Sequence, residues 1–544
     1  MKYDLERAVA DSRARIGIQP ARRPASAPRR EGPAYVKGFE TLDSEVEVEQ
    51  ASVLGSIPAW LTGTLVRTGP AKFEVGEQKF NHWFDGLGML HRFSLSNGEV
   101  SYGNKYIQSR AYLHAMENDQ ISFREFATDP DPELFKHVSQ GFEPHGTDNA
   151  IVNVVRIKDK ILATTQMPVP IEIDPVTLKT IGGFDFEDNL PDGFTTPHPH
   201  VDGAYLYNWT ISLDPPVSHN LYRFDGTKRE LLTTIHSEAP SFVNSFAITK
   251  HHIIFVEQPY RLDYLKLIAG GTAFANCLDW RPDEPCRFWV IDKSNGEVVR
   301  TFETGSFFFL HHINAYEDGD GFVVDMVTYQ DPKIISSLYL DNLRAGGSIP
   351  VPQPRRYILN RVDGKVYSRP LGDSFLELPR INYERVNGRP YRYFYGFGGY
   401  GSLLPGASLT YDFANSLVKA DTAGGVTKIW QREGCFPGEP VFVPRPGSSG
   451  EDDGVLLALV LDSTVEKSFL LVLDAATMDE IGRAELPHHV PFTLGGEFFT
   501  QEELENPGAV RAQRARSAAD YFEAVQHIPE LNTGQLGLSR FLRR

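Results

Sequence analysis

Histidines that could bind a metal ion or transfer protons occur in two short stretches of the chain. His311 and His312 follow the apolar run FFFL at 307–310, and His198 and His200 lie in the sequence Pro-His-Pro-His. A histidine at the inner end of a buried strand is suited to act as a metal ligand or as a general base. The alternative is a core histidine whose ring nitrogens are satisfied by hydrogen bonds. The choice depends on which elements bring these residues together.

A hairpin pattern recurs seven times and predicts those elements. The copies are HRFSLSNGEV from His91, IEIDPVTLKTIG from Ile171, LYRFDGTKRELL from Leu221, FWVIDKSNGEVV from Phe288, YILNRVDGKVYS from Tyr357, LVKADTAGGVTKI from Leu417 and LLVLDAATMDEIG from Leu470. Their Asn-Gly, Asp-Gly and Gly-Gly steps supply the positive φ angles of tight turns. The series predicts an all-β fold, a seven-bladed β-propeller with helical and loop insertions capping one face. Two β-sandwich domains are the alternative, but no Pro/Ser-rich linker divides the chain.

The composition limits both the partners and the compartment expected for this protein. The net charge of −17 argues against nucleic acid, because phosphate binding requires an excess of Lys and Arg. The three cysteines give neither a disulfide framework nor a CxxC metal motif, which favours a reducing compartment. No apolar run approaches the ~20 residues of a membrane-spanning helix. We therefore expect a cytoplasmic protein without a nucleic-acid partner.

The Arg-rich segment 1–34 is predicted to be a disordered tail, with a transit peptide as the alternative, and 35–544 a single domain. A helix is predicted over 509–525, after Pro-Gly. The segment 260–280 mixes Leu, Ile, Tyr and Phe with two basic residues. It is interpreted either as a peripheral membrane contact or as a loop packed on the propeller rim.

Six motifs together resemble the carotenoid cleavage oxygenase family, which includes the retinal-forming oxygenases and the vertebrate retinoid isomerohydrolase. They are NHWFDG at 81–86, TDNA at 147–150, PHPHVD at 197–202, FVNSF at 242–246, LHHINAYE at 310–317 and VPFTLGGEF at 490–498. The resemblance covers nearly the whole chain from about residue 35. It implies a seven-bladed propeller with Fe(II) on its axis, bound by four histidines, three of which are oriented by glutamates.

The resemblance assigns only two of the four ligand positions to histidines. His198 matches the first ligand and His311 the third. Asn244 stands at the second position, where the family has His-Ser-Phe. Gly495 stands at the fourth, where the family has Pro-x-x-x-His-Gly. The site implied by the resemblance is therefore incomplete in this chain.

The glutamate positions have changed in parallel. Glu377 and Glu439 match two of the three, whereas Gln166 stands at the position beside Asn244. Two buried amides can satisfy each other, but a glutamate there would lack an imidazole N–H to accept. We therefore expect Gln166 and Asn244 to form a pair. We also expect Gly495 to leave a space of imidazole size for substrate or water.

The ligand chemistry predicts that no cofactor is bound, because an amide oxygen is a weak iron donor and glycine offers no side chain. The alternative is Fe(II) held by His198, His311 and a water-bridged Glu439. The predicted substrate is a small apolar polyene, terpenoid or aryl-alkene, since such pockets are largely apolar. Its predicted contacts are Asn244, Gln166, Gly495, Phe246 and Phe492.

Three functions follow from this sequence. The first is a metal-independent enzyme that isomerises, hydrates, hydrolyses or cyclises its substrate, with His198, His311, Glu377 and Glu439 as the catalytic set. The second is an iron-dependent dioxygenase with a reduced ligand set, which cleaves a carbon–carbon double bond. The third is a binding protein that sequesters an apolar ligand.

Overall fold

The structure is a computed structural model that describes residues 32–130, 146–188, 190, 193–213, 216–269, 272–372, 374–400, 413, 415–424 and 427–505. Nearly all of the predicted tail lies outside these ranges, as does the helix predicted over 509–525. The remaining expectations about the fold concern described residues.

Seven antiparallel sheets of four or more strands form the blades. Within each blade the strands follow one another from the propeller axis outwards. They are Gly495–Thr500, Gly63–Lys72, Leu87–Ser96, Glu99–Tyr106 and Glu47–Val48; Asn153–Ile157, Lys160–Thr164, Ile171–Ile173 and Thr180–Gly183; Phe194–Thr195 with His200–Asp202, Tyr205–Ser212, Ser218–Phe224 and Arg229–His236; Ala247–Ile248, His252–Glu257, Cys286–Asp292 and Val298–Thr304; Phe308–Asp318, Gly321–Tyr329, Gln353–Asn360 and Val366–Pro370; Ser374–Arg380, Tyr393–Tyr400, Ser416–Asp421 and Lys428–Gln431; and Cys435–Pro437 with Val441–Pro444, Gly454–Asp462, Lys467–Asp474, Glu480–Glu485 and Ser52–Gly55.

The seven predicted hairpins are confirmed. Each supplies a pair of outer strands to a different blade. In the first hairpin Asn97 and Gly98 have φ angles of 51° and 83°, and Ser96 pairs with Glu99 across the turn. Positive φ at both central residues matches the twist of a two-residue hairpin.

Strands from the two ends of the described domain close the ring. Ser52–Gly55 pairs with Glu480–Glu485, and Gly495–Thr500 pairs with Gly63–Lys72. Each closing blade thus combines strands from distant parts of the sequence. The β-propeller prediction is confirmed, and the alternative of two sandwich domains is wrong.

Several of the short helical segments cover one end of the propeller axis. The α-helices are Arg110–Asn118, Tyr264–Ala269, Lys333–Ser337, Leu340–Arg344, Tyr383–Val386 and Gln501–Glu505, and the 3₁₀ turns are Ala34–Phe39, Trp83–Asp85 and Phe274–Cys277. Side chains from many of these segments share one hydrophobic cluster with residues on or just before the inner strands, including Phe242, Leu310 and Leu494. No helix among the described residues is long and apolar enough to span a bilayer.

Candidate active site

The predicted site residues lie on or beside the inner strands. His311 is on Phe308–Asp318, Glu377 is on Ser374–Arg380, and Gly495 begins the last described strand. His198 precedes His200–Asp202, and Asn244 precedes Ala247–Ile248. Because inner strands of neighbouring blades converge on the axis, residues far apart in sequence meet there. We call the region around His198, Asn244 and His311 the hub.

Asn244 makes the central contact of this hub. Its Nδ2 donates to the carbonyl oxygen of Leu310 at 3.0 Å and lies 3.2 Å from Nε2 of His311. Its Oδ1 accepts from Nε2 of Gln166 at 3.0 Å, so the expected amide pair is present. A carbonyl oxygen can only accept, which fixes the orientation of the Asn244 amide. Asn244 therefore presents an N–H donor to the Nε2 lone pair of His311.

Glu377 holds the other side of the His311 ring. Its Oε2 lies 2.7 Å from Nδ1 of His311 and accepts the backbone N–H of Leu378, while Oε1 accepts the hydroxyl of Tyr329 at 2.8 Å. His311 thus carries its proton on Nδ1 and accepts at Nε2. Leu378 has φ of 48°, a left-handed conformation that costs a non-glycine residue roughly 1–3 kcal/mol and is typical of functional sites.

His198 is the second imidazole of the hub. Its ring centroid lies 5.2 Å from that of His311, at an interplanar angle of 80°. Burial, and after it the proximity of the His311 imidazole, holds the pKa of His198 well below its usual value, so its ring is neutral near pH 7. The Nε2 atom of His198 is enclosed and has no hydrogen-bond partner among the described residues. This orphaned nitrogen distinguishes His198 from His311.

Glu439 is held by two arginine side chains. Its carboxylate lies between Arg67, at 3.2 Å from Nη1, and Arg380, at 2.8 Å from Nε and 3.1 Å from Nη2. The Arg67 side chain is fully buried and that of Glu439 is 5% exposed. Both carboxylate oxygens are thus committed to guanidinium groups. The expectation that Glu439 would complete a carboxylate-assisted iron site is not supported by this arrangement.

Gly495 leaves no space of imidazole size, and that expectation is wrong. A Cβ on Gly495 would lie 2.5 Å from the carbonyl oxygen of Val152 and 2.8 Å from Oδ1 of Asn153. These are contacts with the neighbouring blade, one of them with its backbone. The position that the resemblance assigns to the fourth ligand is filled by the protein itself.

Four other predicted or considered residues lie outside the cavity wall. Phe246 packs in the core against Trp209, and its carbonyl oxygen contacts Nε2 of His200. Phe492 packs against Phe413 in the hydrophobic cluster that covers the axis, with 4.6 Å between the two ring centroids. His312 turns away from His311 and contacts Ser245 at 2.9 Å. Phe246 and Phe492 therefore do not supply the substrate contacts that were expected of them.

A largely apolar cavity reaches the hub. It encloses about 1010 Å³ of empty space, counting its opening to solvent. Aromatic side chains that include Trp83, Phe84, Phe126, Phe242 and Phe413 form much of its wall. Its polar lining residues are Gln166, His198, Asn244, His311, Tyr329 and Glu377. Tyr329 and the aromatic wall were not predicted from the sequence. Trp83 and Phe84 lie in the motif at 81–86, and their place in that motif was the one sequence signal for the aromatic wall.

The donors at the hub do not fit a four-imidazole iron site. Two imidazoles are present, and the Nε2 lone pair of His311 faces the amide N–H₂ of Asn244. No cluster of three or more His, Cys, Asp or Glu side chains within the described part of the chain is arranged to hold a metal ion. The mismatch follows from the residue types at 244 and 495.

A family profile described as retinal pigment epithelial membrane protein matches residues 39–500. The mouse beta,beta-carotene 15,15'-dioxygenase is 34% identical over 517 residues, which cover 84% of this chain and 90% of that protein. The chain belongs to the carotenoid cleavage oxygenase family. The ferret mitochondrial carotenoid-cleaving dioxygenase is 33% identical, covering 88% of this chain and 98% of the relative.

Solved structures of this family share the fold. The cobalt-substituted apocarotenoid oxygenase of Synechocystis superposes with a TM-score of 0.76 at 26% identity, covering 86% of this chain and 98% of that one. A Glu150Gln mutant of the same oxygenase gives a TM-score of 0.75 over the same shares of the two chains. The scaffold thus accepts a metal ion in a relative, whereas this chain carries Asn244 and Gly495 at two of its four implied ligand positions.

Proposed function

We propose that this family member is an enzyme that acts on an apolar polyene, terpenoid or aryl-alkene by non-oxidative, metal-independent chemistry. The reaction classes that suit the hub are isomerisation, hydration or hydrolysis, and cyclisation. The observation that carries the proposal is the Asn244 N–H placed at Nε2 of His311, the atom through which that histidine would bind a metal. The apolar cavity supports the substrate class.

In this proposal His311 and Glu377 act together on a proton. The carboxylate accepts from Nδ1 of His311, which orients the ring and stabilises an imidazolium form. A donor group of the substrate would replace the Asn244 N–H at Nε2 of His311. Asn244 would keep its hydrogen bond to the carbonyl oxygen of Leu310. His198 would contact the substrate from the facing side of the hub. Glu439 would act indirectly, by holding Arg380 against the inner strand.

The alternative is an iron-dependent dioxygenase with a reduced ligand set. Two observations favour it: Nε2 of His198 lacks a partner among the described residues, and relatives are named as carotenoid dioxygenases. If iron were retained, His198 and His311 would be its side-chain ligands. It would supply oxygen activation, and Asn244 would have to release His311.

Product analysis with control of metal and oxygen separates these two functions. The protein is incubated with a panel of polyenes, terpenoids and aryl-alkenes, in air and under argon, with added Fe(II) or with a chelator. We expect isomeric, hydrated or cyclised products under all four conditions. Cleavage into two carbonyl fragments that requires both Fe(II) and oxygen would establish the alternative instead.

The His311→Ala variant separates an enzyme from a binding protein. We expect it to lose turnover while ligand affinity changes little, since His311 is one of many cavity contacts. Equal product formation by wild type and variant would refute the role proposed for His311. Tight binding without product in the wild type would support the non-catalytic binding protein.

The proposal includes peripheral membrane contact through 260–280, where an apolar substrate could enter. The short helix Tyr264–Ala269 supports it, because Leu265 is 64% exposed. Liposome co-sedimentation of wild type and Leu265→Glu tests it, and equal binding by the two proteins would contradict the contact.

A further inference from the structure

The polar side chains at the inner end of the cavity are nearly all hydrogen-bonded to one another. The Gln166 amide donates to Asn244, Asn244 donates towards His311, and His311 donates to Glu377. Glu377 also accepts from Tyr329. The two oxygens of Glu377 and both nitrogens of the His311 ring are thereby committed. A ligand that reaches the hub finds neither a free carboxylate nor a free cation among the described residues that line it.

One polar lining atom stands outside this network. Nε2 of His198 is enclosed and has no hydrogen-bond partner in the described part of the chain. An unsatisfied buried polar group is costly, so such groups in native proteins usually meet a protein partner, a water molecule or a ligand. His198 is a lining residue of the cavity, so a ligand bound there is the candidate partner of its enclosed Nε2.

The neighbouring Asn153 indicates which tautomer His198 adopts. Oδ1 of Asn153 accepts the backbone N–H of Val154, and Nδ2 donates to the carbonyl oxygen of Pro197, so the amide orientation is fixed. Nδ2 lies 3.5 Å from Nδ1 of His198. A proton on Nδ1 would face this donor, so the proton is favoured on Nε2. Nε2 of His198 is therefore an N–H donor.

We infer that the hub is an anchoring site for a neutral, oxygen-bearing end group of an apolar ligand, with the Nε2–H of His198 as its hydrogen-bond donor. Carbonyl, ester, ether and hydroxyl oxygens accept such a bond, whereas a plain hydrocarbon does not. Carboxylate and ammonium end groups are disfavoured, because the described part of the hub offers no uncommitted opposite charge. This inference rests on the proposed function, since it names the ligand end in the same cavity.

Two isosteric probes test the inference through binding. Para-acetylstilbene and para-isopropenylstilbene differ by a carbonyl oxygen in place of a methylene group. Dissociation constants are measured by fluorescence titration of the chelator-treated full chain. We expect the ketone to bind roughly threefold to tenfold more tightly, the value of one net hydrogen bond. An isotope-edited infrared spectrum should show a lowered carbonyl stretch for the bound ketone.

Three variants locate the donor. His198→Leu should abolish the preference for the ketone and the infrared shift, whereas His198→Gln, which keeps an N–H donor at a similar reach, should retain part of both. His312→Leu is the matched control. It removes a neighbouring buried imidazole whose Nε2 also lacks a partner among the described residues but which does not line the cavity, so the preference should persist. Thermal melting confirms that each variant is folded.

The results distinguish this inference from the proposed function. Equal affinities, a preference for the isopropenyl probe, no measurable binding of either, or a preference unaffected by His198→Leu would overturn the anchoring site while leaving any metal-independent turnover standing. A preference seen only before chelation would also overturn it. The predicted preference in a protein that turns over no substrate would support the anchor and refute the enzyme.

Discussion

Replacing Asn244 by histidine, together with Gln166 by glutamate, should turn the hub into a metal site. The double variant restores a third imidazole and a carboxylate to orient it, and removes the amide N–H that lies 3.2 Å from Nε2 of His311. Gly495 is left unchanged, because a Cβ there would lie 2.5 Å from the Val152 carbonyl oxygen. The variant thus changes the number of imidazoles from two to three.

The size of the effect follows from the ligand count. Loss of an outer-shell partner alone typically costs ~10–100-fold in metal affinity, and a directly bound imidazole contributes more. We therefore expect Co(II) to bind the double variant at least about 100-fold more tightly than it binds the wild type. Co(II) titration followed by its visible absorption, with a competing chelator, measures both affinities.

Asn244→Ala is the control for this experiment. It frees Nε2 of His311 without adding an imidazole, so its gain in Co(II) affinity should be much smaller than that of the double variant. The reasoning fails if the double variant binds Co(II) no more tightly than wild type, or if the wild type already binds it stoichiometrically at low concentration.

Three further predictions concern stability. Glu439→Ala leaves two arginines beside it without their buried counter-ion, and should lower the free energy of unfolding by about 3–5 kcal/mol; an unchanged urea midpoint would contradict the buried ion pair. Gly495→Ala should cost about 1–3 kcal/mol because its Cβ meets the Val152 carbonyl, whereas Gly305→Ala, with no described atom near its Cβ, should cost little in the same assay. Burial lowers the pKa of His200 to about 4, so the native state binds fewer protons than the unfolded chain between about pH 6.5 and 4, and stability is lost as the pH falls. Wild type should therefore lose up to about 3 kcal/mol relative to His200→Gln between pH 7 and pH 4, and parallel stability curves would refute the shift.

The architecture could be predicted because it depends on local signals. Each outer hairpin carries its own turn residues, and seven of them specify the blade number without knowledge of long-range contacts. The Gln166–Asn244 contact could also be predicted, since two buried amides at matched positions compensate each other.

The environment of the hub could not be predicted, because it depends on contacts between distant segments. Arg67 reaches Glu439 across 372 residues of sequence, and no local pattern announces that bridge. The backbone at Val152 closes the space beside Gly495, whereas motif comparison shows only that an imidazole has been lost there. Tyr329 reaches Glu377 only because neighbouring blades converge at the axis.

Diffraction data collected at the iron absorption edge, from crystals grown with Fe(II), test the central claim most directly. If Asn244 and Gly495 have removed the metal site, no anomalous peak should appear between the imidazoles of His198 and His311. A strong peak bonded to Nε2 of both histidines, with Asn244 turned away, would contradict the metal-independent account.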